Sequence, residues 1–310
     1  MQILTDACAN TDSTKQIAER NIAESSPEEI RSVQEKALEI LKYFDSFCTE
    51  NSLSYFLCGG ALIGAVREGG FVPWDDDIDV FMLREDYEAL AQLWPAYADT
   101  GKFSLCRSGK ESNFRHADTS IVHVNTTFVN LHSQDMDIPH GIALDVIPLD
   151  GLAPSAVGRV AQKFWALAYC LFNAQRLPDH QGKFVRAISR IALSLLPSKR
   201  LRYAVWSFAE KKMSRYPAKS ACELTELVTG LKYLGLRYSR EMFAKHEYVE
   251  FEGFPARAPS GYRKYLELAF GNYMALPPEN ERKPKHQTAY FNAYEPYEAY
   301  QGIYYCKTGD

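Results

Sequence analysis

Nowhere in the 310 residues do two cysteines stand in a Cys-x-x-Cys spacing. The seven cysteines (8, 48, 58, 106, 170, 222 and 306) are scattered and odd in number. That argues against a disulfide framework or a zinc knuckle and for a reducing compartment. No apolar run approaches the ~20 residues that a membrane span needs. The longest candidate, Phe164 to Phe172, is too short. Met1-Gln2-Ile3-Leu4-Thr5-Asp6 offers neither a basic nor an apolar leader region, so no signal peptide is expected and the protein reads as cytoplasmic. Internal repeats are missing. A net charge of −4 without a recognised motif argues against nucleic-acid binding. Hydrophobic residues at 46% and charged residues at 24% suit a globular chain with a sizeable core.

Against this plain background one segment stands out, Trp74-Asp75-Asp76-Asp77-Ile78-Asp79-Val80. Its four carboxylates run directly into the apolar stretch Val80-Phe81-Met82-Leu83. In an extended chain, residues i and i+2 share a face. Asp77 and Asp79 are therefore expected side by side, with Ile78 and Val80 pointing into the core. Paired carboxylates at a strand end repel each other, and a hard divalent cation relieves that repulsion. Mg²⁺, with Mn²⁺ as the alternative, is the expected cofactor of a phosphoryl-handling enzyme. Asp75 and Asp76 are read as supporting the metal ligands or as a solvated turn.

Upstream, the strand-like Leu53–Cys58 breaks at Gly59-Gly60, and a short helix is expected over 61–67. Strand, glycine pair and helix expose backbone N–H groups to a phosphate. Arg67, at the helix end, adds a fork of donors. Asp145 stands in a further apolar strand, where an unpaired carboxylate is costly to bury. Downstream of Leu276-Pro277-Pro278, the basic cluster Arg282, Lys283, Lys285 and His286 is available to fold back onto a phosphate.

Elsewhere, Ser26-Pro27-Glu28-Glu29 marks a capped helix start, with Ile30, Val33, Ala37, Leu41, Phe44 and Phe47 at helical spacing. Strands are expected at 53–58, 78–83, 103–107, 121–131 and 142–149, a helix at 85–94, a hairpin near 247–256 and a last helix at 262–274. Residues 218–243 and the aromatic tail beyond Tyr290 show no clear pattern. The result is an α/β (α+β) chain: a loose tail at 1–25, a catalytic core at 26–150, a basic helical insertion at 151–217, and a C-terminal part at 218–310 that completes the core. Within 155–216, twelve Lys and Arg face two acidic residues, Asp179 and Glu210, and three amphipathic helical segments are expected, the second over 184–196. Such a segment suits an anionic membrane surface or a polyanionic glycan, or it is a cap whose basic face is merely solvated.

The string Gly59-Gly60-Ala61-Leu62-Ile63-Gly64-Ala65-Val66-Arg67, followed by Gly70-Phe71-Val72-Pro73-Trp74-Asp75-Asp76-Asp77-Ile78-Asp79-Val80, closely resembles the LicD family of phosphocholine transferases, whose core fukutin-related proteins share. Gly141–Asp150 is similar to the family's third-carboxylate strand, and Phe251-Glu252-Gly253, Leu276-Pro277-Pro278, Arg282 and His286 to its C-terminal signatures. The resemblance implies a nucleotidyltransferase-like fold with Asp77, Asp79 and Asp145 as catalytic and metal-binding residues. It also implies transfer of phosphocholine or a related phospho-alcohol from a CDP-linked donor such as CDP-choline. The acceptor would be a sugar hydroxyl of a surface glycan such as teichoic acid, lipopolysaccharide or capsule. Gly59, Gly60, Arg67, Arg282 and His286 would bind the donor phosphates. The chain departs from the family in offering His123 where a basic residue is common. Two rivals remain: a nucleotidyltransferase that uses an NTP and releases pyrophosphate, and a non-catalytic cation-binding scaffold.

Overall fold

A computed structural model describes residues 20–175, 190, 193–194, 196 and 198–307. Most of the expected tail at 1–25 and most of the expected helix at 184–196 therefore lie outside the described residues. Helix α1 (Pro27–Glu50) begins as its sequence predicts. Ser26 Oγ accepts from Glu29 N at 3.3 Å, and the Glu29 carboxylate accepts from Ser26 N at 2.9 Å. Its apolar stripe, Ile30 to Phe47, is buried against the sheet.

Along the chain follow β1 (Phe56–Leu57), α2 (Gly59–Glu68), β2 (Asp79–Leu83), α3 (Arg84–Tyr97), β3 (Phe103–Arg107), β4 (Thr119–His123), β5 (Thr127–Asn130) and β6 (Ala143–Gly151). Next come α4 (Ala156–Ala174), α5 (Lys199–Met213), β7 (Glu223–Glu226), β8 (Tyr238–Ser239), β9 (His246–Phe251), β10 (Phe254–Pro259), α6 (Tyr262–Phe270) and β11 (Thr288–Asn292). The main sheet is mixed, in the order β1-β2-β6-β4-β3, and β7 pairs with the far end of β6 and carries β8. Strands β2 and β6 run parallel, whereas the other pairs are antiparallel. The α+β architecture is thus the expected one.

Several details differ from the expectation. The stretch 121–131 is two strands: Thr126 turns the chain by bonding His123 O through both its N and its Oγ1. Strand β5 then leaves the main sheet to pair with β11. The patternless region 218–243 contains β7 and β8, which are too short to show a period. Helix α2 starts at Gly59 rather than at residue 61, so the glycine pair is its first turn. The last helix stops at Phe270, where Gly271 adopts φ +69°. Hairpin β9–β10 turns on Glu252 and Gly253, both with positive φ, as a two-residue turn of the primed type requires.

Arg84, just after β2, forks onto Asp150 near the end of β6 with bonds of 2.7 and 2.8 Å. Both side chains are buried, so the pair locks the two central strands together at the end away from Asp79. Removing one partner leaves an uncompensated buried charge. Asp150→Ala is expected to cost about 3–5 kcal/mol in urea unfolding, with part of the loss recovered by the double change Arg84→Met and Asp150→Ala.

Candidate active site

The acidic loop is held from two sides. From α1, the buried Gln34 amide donates to Val72 O at 3.3 Å and to Asp75 O at 2.9 Å. From the β9–β10 turn, Glu252 N donates to Gly69 O at 2.9 Å, and the Glu252 carboxylate accepts from Phe71 N at 3.1 Å. Arg31 secures that carboxylate at 2.8 Å. On a third side sits the glycine pair. Gly59 has φ +56°, and a Cβ on Gly60 would lie 2.0 Å from Asp75 Oδ2. Glycine is needed at both positions so that the start of α2 can approach the carboxylates.

In the β2–β6 register, Asp79 lies directly across from Asp145, and Ile78 O accepts from Asp145 N at 2.9 Å. Ile78 and Val80 are fully buried, whereas Asp75, Asp77 and Asp79 alternate with them and are half-buried. The expected i, i+2 arrangement thus appears, with Asp145 brought in from the neighbouring strand. Asp145 Oδ1 accepts from Ser120 Oγ at 2.6 Å.

Crowding of partly buried carboxylates raises their proton affinity. Burial and then the Asp77 charge push Asp75 well up, and burial with Asp77 and Asp145 does the same to Asp79. Asp145 rises through burial and Asp118. Burial and neighbouring acids push Asp77 up to about 6, against the pull of His286. His286 Nδ1 donates to Asp76 Oδ2 at 3.1 Å and lies 4.0 Å from Asp77 Oδ2. Burial opposes its charge, yet Asp76, Asp77 and Asp145 outweigh burial and raise it to about 9.

The remaining expected residues are spread more widely. Arg282 donates to Pro277 O and lies over the Trp74 ring at 5.8 Å, beside the acidic loop. The exposed Lys285 adds positive charge to Asp75 and Asp77. Arg67 does not join this group. It pairs with Glu68 at 2.7 Å and reaches Tyr273 O, at the opposite end of α2 from Gly59. His123 is buried between Phe103 and Glu39, on the opposite face of β4 from Ser120.

Sequence reasoning missed four residues. Ser120 and Asp118 sit on or just before β4, and Ser120 is the register partner of Asp145. His116 and His132 approach each other to 3.4 Å between their Nε2 atoms. A period-2 reading of β4 against the Asp145 strand was the available signal for Ser120. The two histidines lie in irregular loops that carry no such signal. Together with Phe114, Phe128 and Asn130 they line a cavity of about 100 Å³ that reaches Asp77, Asp145 and His286.

The donor set suits a hard divalent cation, because it is dominated by carboxylate oxygens. Asp76, Asp77 and His286 each offer one ligand atom, all within 4.8 Å of one another. Asp76 Oδ1 is buried without a hydrogen-bond partner among the described residues. The site is therefore a candidate acidic metal centre.

The shifts fix a sign. A raised carboxylate and a raised histidine both bind more protons in the folded state, so both lower stability as pH rises. For chelator-treated protein, thermal stability should fall between the ordinary aspartate range near pH ~4 and the value of about 9 for His286. Asp79→Asn should flatten the lower part of this profile and His286→Gln the upper part. A melting series across that range, with and without Mg²⁺, checks both.

Residues 52–149 match the model of the LicD/FKTN/FKRP nucleotidyltransferase domain. The chain is 29% identical over 273 residues to the lipopolysaccharide cholinephosphotransferase LicD of Haemophilus influenzae, covering 84% of this chain and 97% of that protein. It is 28% identical over 131 residues to the human ribitol 5-phosphate transferase FKRP, covering 36% of this chain and 26% of that protein. An uncharacterised protein of Rickettsia prowazekii is 35% identical over 63 residues, which is 20% of this chain and 24% of that protein. Asp77, Asp79 and Asp145 all fall inside the matched domain, and the chain carries a LicD-type domain within a sequence similar to a LicD transferase over most of its length.

Proposed function

We propose that this chain transfers phosphocholine, or a related phospho-alcohol, from a CDP-linked donor to a sugar hydroxyl of a surface glycan. Lipopolysaccharide, teichoic acid and capsule are the candidate acceptors. Likeness to a cholinephosphotransferase over 97% of that protein's length supports the transferred group. Likeness to a ribitol 5-phosphate transferase supports phospho-alcohol transfer as the common chemistry. The observation that carries the reading is the β2–β6 register, which sets Asp79 beside Asp145 with Asp77 on the same face.

Asp77, Asp79 and Asp145 would hold Mg²⁺ or Mn²⁺, and Asp75 and Asp76 would support them. When bound, the cation supplies charge neutralisation for the donor diphosphate and its leaving nucleotide. The chain's own contribution is largely positioning. The first turn of α2, at Gly59-Gly60, would offer the Gly60 N–H and the positive end of the helix dipole to the donor phosphates, while the Gly59 N–H donates to Tyr265 OH at 3.2 Å. Arg282 and the protonated His286 add positive charge on the other side of the acidic loop. Asp145 faces the cavity with its proton affinity raised, and Ser120 fixes its orientation. Asp145 either shares the metal or takes the proton from the attacking hydroxyl.

Calorimetric titration with CDP-choline, CDP-ethanolamine, CDP-glycerol, CDP-ribitol and CTP, with and without Mg²⁺, tests the proposal. One CDP-alcohol should bind in a Mg²⁺-dependent manner. Asp77→Asn and Asp145→Asn should each lower turnover by at least about a hundredfold. Preference for CTP, with pyrophosphate released, would move the chain to nucleotidyl transfer. Intact biological activity in Asp77→Asn and Asp79→Asn would favour the scaffold.

A further inference from the structure

Helix α4 buries one face and, among the described residues, leaves the opposite face uncovered. Gly158, Gln162, Ala166, Tyr169 and Asn173 point inward. At ~100° per residue, Val157, Val160, Phe164 and Leu167 point the other way. Those four are 47–81% exposed. Every exposed position of α4 is apolar, since Ala156 and Ala161 are the remaining two. A solvent-facing helix ordinarily shows the reverse pattern, with charge outward.

Helix α5 continues the patch. Leu201, Ala204 and Phe208 are exposed at helical spacing. The Phe208 ring meets Trp165 at 5.3 Å, and Trp165 meets Phe164 at 5.0 Å, so the two stripes join. Positive charge brackets the joined patch. Lys199 and Arg200 lie exposed at one end of α5, Lys211 and Lys212 at the other, and Lys212 Nζ sits 5.1 Å from the Phe208 ring. Helix α4 has no acidic residue. The one acid of α5, Glu210, is turned inward to Arg84 and Arg107.

We infer that the α4–α5 face docks on the surface of an anionic lipid bilayer. An apolar stripe with a basic rim matches the layered chemistry of such a surface, with acyl chains beneath phosphate headgroups. No described helix is long and apolar enough to cross a membrane, so the pair lies in the interface rather than spanning it. A second copy of the chain would set the basic rim against an identical basic rim unless the copies were offset, whereas anionic headgroups complement it directly. Helix α4 also braces the cavity wall: Asn173 Nδ2 donates to His116 O at 3.0 Å, and Tyr169 OH donates to Ala117 O at 2.9 Å. Docking would therefore bring the catalytic cavity to the level of membrane-anchored acceptors. This inference stands on the helical face alone and is independent of which donor is used.

Flotation of the full chain with phosphatidylcholine vesicles, with and without phosphatidylglycerol, is the test. The protein should float with the phosphatidylglycerol vesicles and at least about tenfold less with phosphatidylcholine alone. Flotation should be lost in Val160→Ser with Phe164→Ser, and also in a charge reversal at Lys199, Arg200, Lys211 and Lys212. Melting temperature and CDP-alcohol binding should be retained in both variants. Phe164→Trp gives a second readout that does not depend on a disruptive change: its fluorescence should be quenched by lipids brominated on their acyl chains. Absence of flotation, or equal flotation without anionic lipid, would overturn the inference. So would a dimer in sedimentation equilibrium that Phe164→Ser dissolves, which would assign the face to a second copy.

Discussion

The site depends on the parallel register between β2 and β6. Because Asp79 faces Asp145, two strands that begin 64 residues apart present their carboxylates together. A slip of one residue would turn Asp79 into the core and bring Val80 to the surface. The register is held by the buried partners Val80 and Val146, then Phe81 and Ile147, and by the Arg84–Asp150 fork at the far end. A buried ion pair of this kind adds little net stability. Here it opposes a shift that would separate the carboxylates.

Around this pair the fold accumulates negative charge that it does not fully neutralise. His286 and Lys285 approach Asp75, Asp76 and Asp77 from one side, while Asp118 adds further repulsion from the other. The raised proton affinities of Asp75, Asp77, Asp79 and Asp145 record the cost. Active sites commonly sacrifice stability for poised chemistry. The glycine pair follows from the same demand, since a side chain at Gly60 would occupy the space of Asp75.

Much of this was legible in the residues. The capping box at Ser26, the alternation across Asp75–Val80 and the β9–β10 hairpin depend on local chemistry, which sequence spacing reports directly. Placing Asp145 beside Asp79 came from family resemblance and the cost of a strand-buried carboxylate, not from periodicity. Strands β7 and β8 went unseen because four and two residues cannot display a period. His116, His132 and Asp118 were missed because irregular loops bring them together. Arg67 looked suited to phosphate by charge, yet the length of α2 carries it to the far end of the helix. The basic segment suggested a surface function, but the opposed faces of α4 appear only when burial is known.

The proposed chemistry rests on a catalytic cation held by the Asp77, Asp79 and Asp145 carboxylates against the donor diphosphate. Its most direct test is a crystal structure with Mn²⁺ and CDP-choline, read by anomalous scattering. An anomalous peak is expected within ligand distance of all three carboxylates, with the diphosphate reaching from it to the first turn of α2 at Gly59-Gly60. A peak confined to Asp76 and His286, or a nucleotide bound away from the β2–β6 pair, would contradict it.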